Sequence, residues 1–188
     1  MKKLIFFSIA IFLFSACNVS YEKENLVRKY LDAHNAHKTH RALKLFDENA
    51  SFHVGTTHIK NGIEEIRSIE EWDSVLQSTY RYEIVKINED TVFCDIQENN
   101  LWLDALDIEP VKYQYAQFII RNNKIQQVSV KLTREDQKRL SEELNHLMKW
   151  ALQTNPDMIA EISKDGEFVY NRQSAETWLK LVRKYERK

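Results

Sequence analysis

Apolar positions divide the chain into three regimes. After Met1-Lys2-Lys3, residues Leu4 to Phe14 carry only apolar side chains and one serine. A short basic start before an apolar run of about 7–15 residues is the pattern of a secretory signal, and the run falls well short of the ~20 residues of a spanning helix. The pattern beyond Glu22 is helical. Leu26, Val27, Tyr30 and Leu31 share one face that His34 continues, predicting a helix over Asn25–His34 with a loop after it. Leu43, Leu45 and Phe46 predict a second helix, Thr39–Phe46, with Thr39 as N-cap. Asn49–Val54 alternates as a strand, Gly62 ends the next turn, and Ile63, Ile66, Ile69, Trp72, Val75 and Leu76 form a helical stripe over 63–78.

The period then falls to two. Strands are predicted at Tyr82–Ile87, Thr91–Trp102, Val111–Arg121 and Lys124–Leu132, with turns at Asn88-Glu89-Asp90 and Asn122-Asn123, an antiparallel meander. Helical spacing returns after Leu132. Thr133 and Asp136 resemble a capping box ahead of the stripe Leu140, Leu144, Leu147, Met148, Ala151 and Leu152. Asn155-Pro156 starts a short helix, Lys164-Asp165-Gly166 makes a turn, and Ser174 opens a last helix with Ala175, Trp178, Leu179, Val182 and Tyr185 inward. Strands segregated from helices predict an α+β fold, a curved antiparallel sheet wrapped on helices.

The residues after the apolar run decide what kind of signal it is. Cleavage after Ala16 by ordinary signal peptidase would put the bulky Phe14 where a small residue is needed. Phe14-Ser15-Ala16-Cys17 instead resembles the bacterial lipoprotein motif, with phenylalanine in place of the usual leucine. That resemblance implies removal of residues 1–16, a diacylglyceryl group on the Cys17 sulfur, and a protein held on a membrane of the cell envelope facing the periplasm or exterior. Two or three acyl chains anchor stably, at about 0.8 kcal/mol per buried CH₂. Residues 17–22 are then a short tether, 23–132 the main domain and 133–188 a helical extension packed on it.

Without Lys2 and Lys3 the chain keeps 25 Lys+Arg against 28 Asp+Glu, well mixed. No basic stripe offers itself to nucleic acid. With Cys17 lipidated, Cys94 has no cysteine to pair with and reads as a buried, inert thiol. No glycine-rich phosphate loop or repeat is present, and no cofactor is implied.

Residues 25–132 resemble the nuclear transport factor 2-like superfamily, which includes SnoaL-like polyketide cyclases and ketosteroid isomerase. The resemblance rests on Leu26-Val27-Arg28-Lys29-Tyr30-Leu31-Asp32-Ala33-His34-Asn35 and on Ala42-Leu43-Lys44-Leu45-Phe46-Asp47-Glu48-Asn49-Ala50-Ser51-Phe52, together with the order of elements. It implies a cone of bent sheet and helices around a pocket, in a superfamily of both enzymes and binding proteins. The isomerases' aspartate base has no counterpart in Phe52-His53-Val54-Gly55, His37-Lys38 replaces a frequent aspartate, and the Asp-Arg-Asp set of the epoxide hydrolases is not identifiable.

Candidate pocket residues are His53, Trp72, Glu98, Trp102, Tyr113, Tyr115 and Gln117. Glu98 follows Val92, Cys94 and Ile96 on one strand face, either lining a pocket mouth or already in solvent. Tyr113, Tyr115 and Gln117 alternate on one face of the next strand, as ligand contacts or as packing. Trp102 lies by the acidic turn Asp104–Glu109. His34, His37 and His40 recur at steps of three that drift around a helix, so no closed metal set emerges. Three functions follow. The first is a domain binding a small apolar or amphipathic ligand, or a partner such as a second copy through its sheet. The second is a pocket isomerase, cyclase or hydratase using Glu98 with Tyr113 or Tyr115. The third is a structural envelope assembly protein.

Overall fold

The computed structural model describes residues 4–56, 58–164 and 167–185, with side chains from Ser20 onward except that of Glu167. Helix α1 (Leu4–Asn35) includes the predicted Asn25–His34 helix, and residues 17–22 continue it rather than forming a separate linker. The side chain of Cys17 lies outside the described residues. Lys23, near the base of the folded part, ties α1 to the sheet through Asp90 at 2.8 Å, and Arg121 reaches the same carboxylate at 3.3 Å.

Helix α2 (Thr39–Leu43) ends before Phe46, which begins strand β1 (Phe46–Val54). Thr39 is its first residue, not its cap, and Lys38 holds the cap position. A short strand β2 (His58–Asn61) fills the region read as a turn. Gly62, at φ 82°, then caps helix α3 (Ile63–Leu76), a backbone conformation that suits a residue without Cβ. Strands β3 (Thr79–Asn88), β4 (Thr91–Asn99), β5 (Val111–Arg121) and β6 (Lys124–Leu132) follow. Asn122 and Asn123 both have positive φ, as a two-residue hairpin turn demands.

The spatial order is β2-β1-β6-β5-β4-β3. Only β1 and β6 run parallel in this six-stranded sheet, and its other pairings are antiparallel. The sheet is curved and unclosed. Its concave face packs Val92, Cys94, Ile96, Ala116, Phe118, Ile120, Val128 and Val130 against Val27, Tyr30 and Leu31 of α1 and Ile66 and Ile69 of α3. Each large aliphatic or aromatic side chain fully buried there contributes roughly 1.5–3 kcal/mol.

The predicted strand Thr91–Trp102 stops at Asn99, and residues 101–105 form helix α4 (Leu101–Ala105). The side chain of Asn100 accepts from the Leu103 amide and caps that helix. Helix α5 (Arg134–Thr154) has Thr133 as its N-cap, as read from the sequence. Leu152, placed on its inward stripe, is instead 57% exposed. Helix α6 (Pro156–Ile162) leads into a two-stranded ribbon, β7 (Ser163–Lys164) and β8 (Glu167–Phe168). Two residues of the predicted turn there, Asp165 and Gly166, lie outside the described residues. Helix α7 (Arg172–Lys184) starts earlier than predicted. Asn171 is its N-cap, in a reciprocal box with Ser174, which sits three residues inside.

Helices α5 to α7 make a second core with α4 and the back of α3. Trp72, Leu76, Leu103, Leu106, Leu147, Ile162, Trp178 and Leu181 are buried in it. The C-terminal extension therefore shares α3 with the cone.

Candidate functional site

The helical repeat places two pairs of polar residues on buried faces. Tyr30 and His34 are four apart on α1, on the face of Val27 and Leu31. Glu70 and Asp73 are three apart on α3, in phase with Ile66 and Ile69. The two helices bring the pairs together inside the cone. Tyr30 Oη donates to Glu70 Oε1 at 2.9 Å, and His34 Nδ1 lies 3.3 Å from Glu70 Oε2. His34 and Glu70 are each 3% exposed. The imidazole stacks on Tyr80, with ring centres 4.2 Å apart and planes 4° from parallel. Asn35 fixes that tyrosine by accepting from its amide and donating to its carbonyl, at 2.7 and 2.9 Å.

A second polar group stands on the sheet. Glu98 points inward from β4 and accepts from Ser78 Oγ at 2.7 Å, from Asn100 Nδ2 at 3.0 Å and from the Tyr113 hydroxyl through a short bond. Of the two positions open to Glu98 in the sequence, it takes the inward one, part-buried and hydrogen-bonded within the protein. Tyr80 and Tyr113 meet edge to face, with centroids 6.4 Å apart. A bulge in β5 between Tyr113 and Tyr115 then resets the strand, so that Val111 and Tyr113 point inward and are followed by Ala116, Phe118 and Ile120. Tyr113, Tyr115 and Gln117 consequently do not share a face. Tyr115 and Gln117 lie on the convex side, as does His53, whose neighbour Phe52 takes the core position.

Trp72 is buried behind the site and packs against Tyr170, with centroids 5.2 Å apart. Trp102 sits on α4 and meets Trp178 at 6.1 Å, in the second core rather than the pocket. Tyr170 comes from the segment ahead of α7, and Lys60 stands 5.4 Å from its ring centre. The extension thus supplies one wall of the site.

Electrostatics give these groups different characters. Burial drives the His34 imidazole towards its neutral form, but the charge and hydrogen bond of Glu70, with Asp73 and Glu98, outweigh that and hold its pKa at about 9. Burial pushes Asp73 well above the usual carboxylate range. Glu98 and Glu70 add to that rise, and His34 offsets part of it. Burial and the nearby Glu98 raise the phenols of Tyr80 and Tyr113, while burial and Asp73 raise that of Tyr170.

Among the described residues, the Asp73 carboxyl and the hydroxyls of Tyr80 and Tyr170 have no hydrogen-bond partner, although Asp73 acts on both phenols. The Nε2 of His34 is also buried without a partner. No group of three or more metal-ligating side chains occurs among these residues. His37 turns away from His34 at a positive φ, and burial, then His34, lowers its pKa. Cys94 is buried, which pushes its thiol up to about 12 and leaves it unreactive.

Tyr30, Glu70, Asp73, Ser78, Tyr80, Asn100 and Tyr170 were not among the residues singled out from the sequence. Glu70 and Asp73 did carry a signal, since both interrupt an otherwise apolar helical stripe.

No family description and no curated protein matches this chain. Solved structures do. A nuclear transport factor 2-like protein of unknown function from Cytophaga hutchinsonii superposes with a TM-score of 0.50 at 14% identity, covering 61% of this chain and 92% of that one. A candidate polyketide cyclase from Xanthomonas campestris gives 0.52 at 13% identity, covering 62% and 94%. The epoxide hydrolase/cyclase-like enzyme of pyran ring formation in the polyether salinomycin gives 0.55 at 16% identity, covering 62% and 94%. The chain therefore has the cone fold of nuclear transport factor 2-like proteins, continued by a C-terminal helical extension.

Proposed function

We propose that this protein is an exported lipoprotein, anchored through Cys17 in the cell envelope, whose cone binds a small organic molecule. The unpartnered Asp73, Tyr80 and Tyr170 carry this reading. Polar groups drawn in from solvent are normally satisfied within the protein, and half-buried ones left without a protein partner suit a ligand that completes them. The site is more polar than an apolar cavity, so the ligand has a polar head and a modest apolar body. Native mass spectrometry of residues 18–188 tests this. A reproducible extra mass on the folded chain, lost in Asp73→Ala, is expected; a bare chain under every gentle condition would remove the ligand reading. Labelling with radioactive palmitate, abolished by Cys17→Ala, tests the anchor separately.

A pocket enzyme is the second reading, favoured by the pairing of unlike carboxyls. Burial, with Glu98 nearby, pushes Asp73 well above the usual carboxylate range, and Glu98 itself accepts hydrogen bonds from three donors. An isomerase, cyclase or hydratase needs one group to give a proton and another to take it, and two carboxyls in different surroundings suit that division. Tyr113 is already committed to Glu98, so Tyr80 and Tyr170 are the phenols free to touch substrate.

A further inference from the structure

The carboxyl and aromatic groups of the pocket outnumber its cations, and this imbalance points to the charge of the ligand. Glu70, Asp73 and Glu98 converge from α3 and β4, and the cation set among them is His34, held against Glu70 at 3.3 Å. Lys60 stands at the Tyr170 ring rather than at a carboxylate. Around the two remaining carboxyls stand the rings of Tyr80, Tyr113 and Tyr170, the first two perpendicular. Rings at an angle beside carboxylates are the chemistry that recognises an organic ammonium ion, through cation–π attraction and charge. His34 adds a second, independent mark. It is 3% exposed with an unpartnered Nε2, a donor that lacks an acceptor atom.

We infer that the ligand is a small organic ammonium ion carrying an oxygen acceptor. Its charged head sits among Tyr80, Tyr113 and Tyr170 against Asp73 and Glu98, and its oxygen lies towards His34. This inference rests on the ligand-binding reading and specifies the chemical class. The inward-facing carboxyls are unsuited to an anionic ligand, because the charge of one would stand unpaired beside Glu98 in a poorly hydrated space.

The test compares choline with 3,3-dimethylbutan-1-ol, which has the same shape and hydroxyl without the charge, by calorimetric titration of the full expressed chain. Choline is expected to bind about tenfold or more tightly than its neutral counterpart, a margin within the range of a desolvated cation–π contact. Asp73→Asn should erase that preference. Should the variant fail to fold, Tyr170→Leu gives the same readout from the extension side. Equal binding of the two probes, or tighter binding of the alcohol, overturns the ammonium assignment and leaves the pocket reading standing. Failure of choline to bind at all also overturns it, and the extra mass sought above then decides independently whether the pocket holds another class of ligand.

Discussion

Two residues of the site both make the fold less stable as pH rises, one by losing a favourable charge and the other by gaining an unfavourable one. The folded-state pKa of His34, about 9, lies above its ordinary 6.5. Its contribution is therefore complete below about pH 6.5 and is lost as pH rises through 9. Asp73, raised well above 3.8, weakens the fold progressively once pH exceeds that value. A thermal scan across pH 6.5 to 9 should show a falling Tm, and Glu70→Gln should flatten it; an unchanged slope in that variant would detach His34 from the effect. Asp73→Asn should raise stability near neutrality by about 0.5–2 kcal/mol in urea denaturation, the usual gain when a strained functional group is neutralised. A loss of stability would mean that the carboxyl is held by a contact within the protein. At this scale the sequence was only partly legible. Strand alternation put Glu98 on the face of Val92, Cys94 and Ile96 but left open whether that face had reached solvent, and it set Tyr113 with Tyr115 and Gln117, which one bulge separates by reversing the side chains beyond it.

Elements were legible wherever turn chemistry and periodicity agreed. The bounds of β5 and β6 follow from Asn122-Asn123 and from clean alternation. The end of β4 does not, because Leu101-Trp102-Leu103 prolongs an apolar pattern that either a strand or a helix can use. Asn100 decides between them. Its Oδ1 takes the Leu103 amide at 3.0 Å and its Nδ2 donates to Glu98, so one side chain both starts α4 and orients the carboxylate. Asn100→Ala should cost about 1 kcal/mol for the cap alone. It should also weaken ligand binding, whereas Ile159→Val, trimming the second core on α6, should cost a similar amount and leave binding intact. Equal effects of the two variants on affinity would deny Asn100 its positioning role. Strand β2 went unread because its burial pattern is exposed and intermediate throughout, with no apolar alternation to announce it.

At the scale of the molecule, α3 is the shared wall. One side carries Ile66 and Ile69 into the cone, and the other carries Trp72 and Leu76 into the helical extension. Cone and extension should therefore unfold together, in a single denaturation transition. A chain ending at Leu132 should aggregate through the bared Trp72, Leu76 and Val111 on size-exclusion chromatography, and a soluble, ligand-binding fragment would contradict this. The sequence assigned the extension to packing but could not show that it brings Tyr170 to the pocket, a contact between distant parts of the chain.

The continuity of α1 has a consequence for where ligands come from. The helix is stapled to the sheet at Lys23 and carries the site at His34, and its backbone runs unbroken through Cys17. At 1.5 Å per residue, Cys17 and His34 stand roughly 25 Å apart along a stiff rod. On the proposed acylation of Cys17, that rod would hold the proposed site above the headgroup layer instead of letting it lie down on the lipid. A protein so anchored would sample solutes of the surrounding fluid, and molecules dissolved in the bilayer would have to leave it before capture.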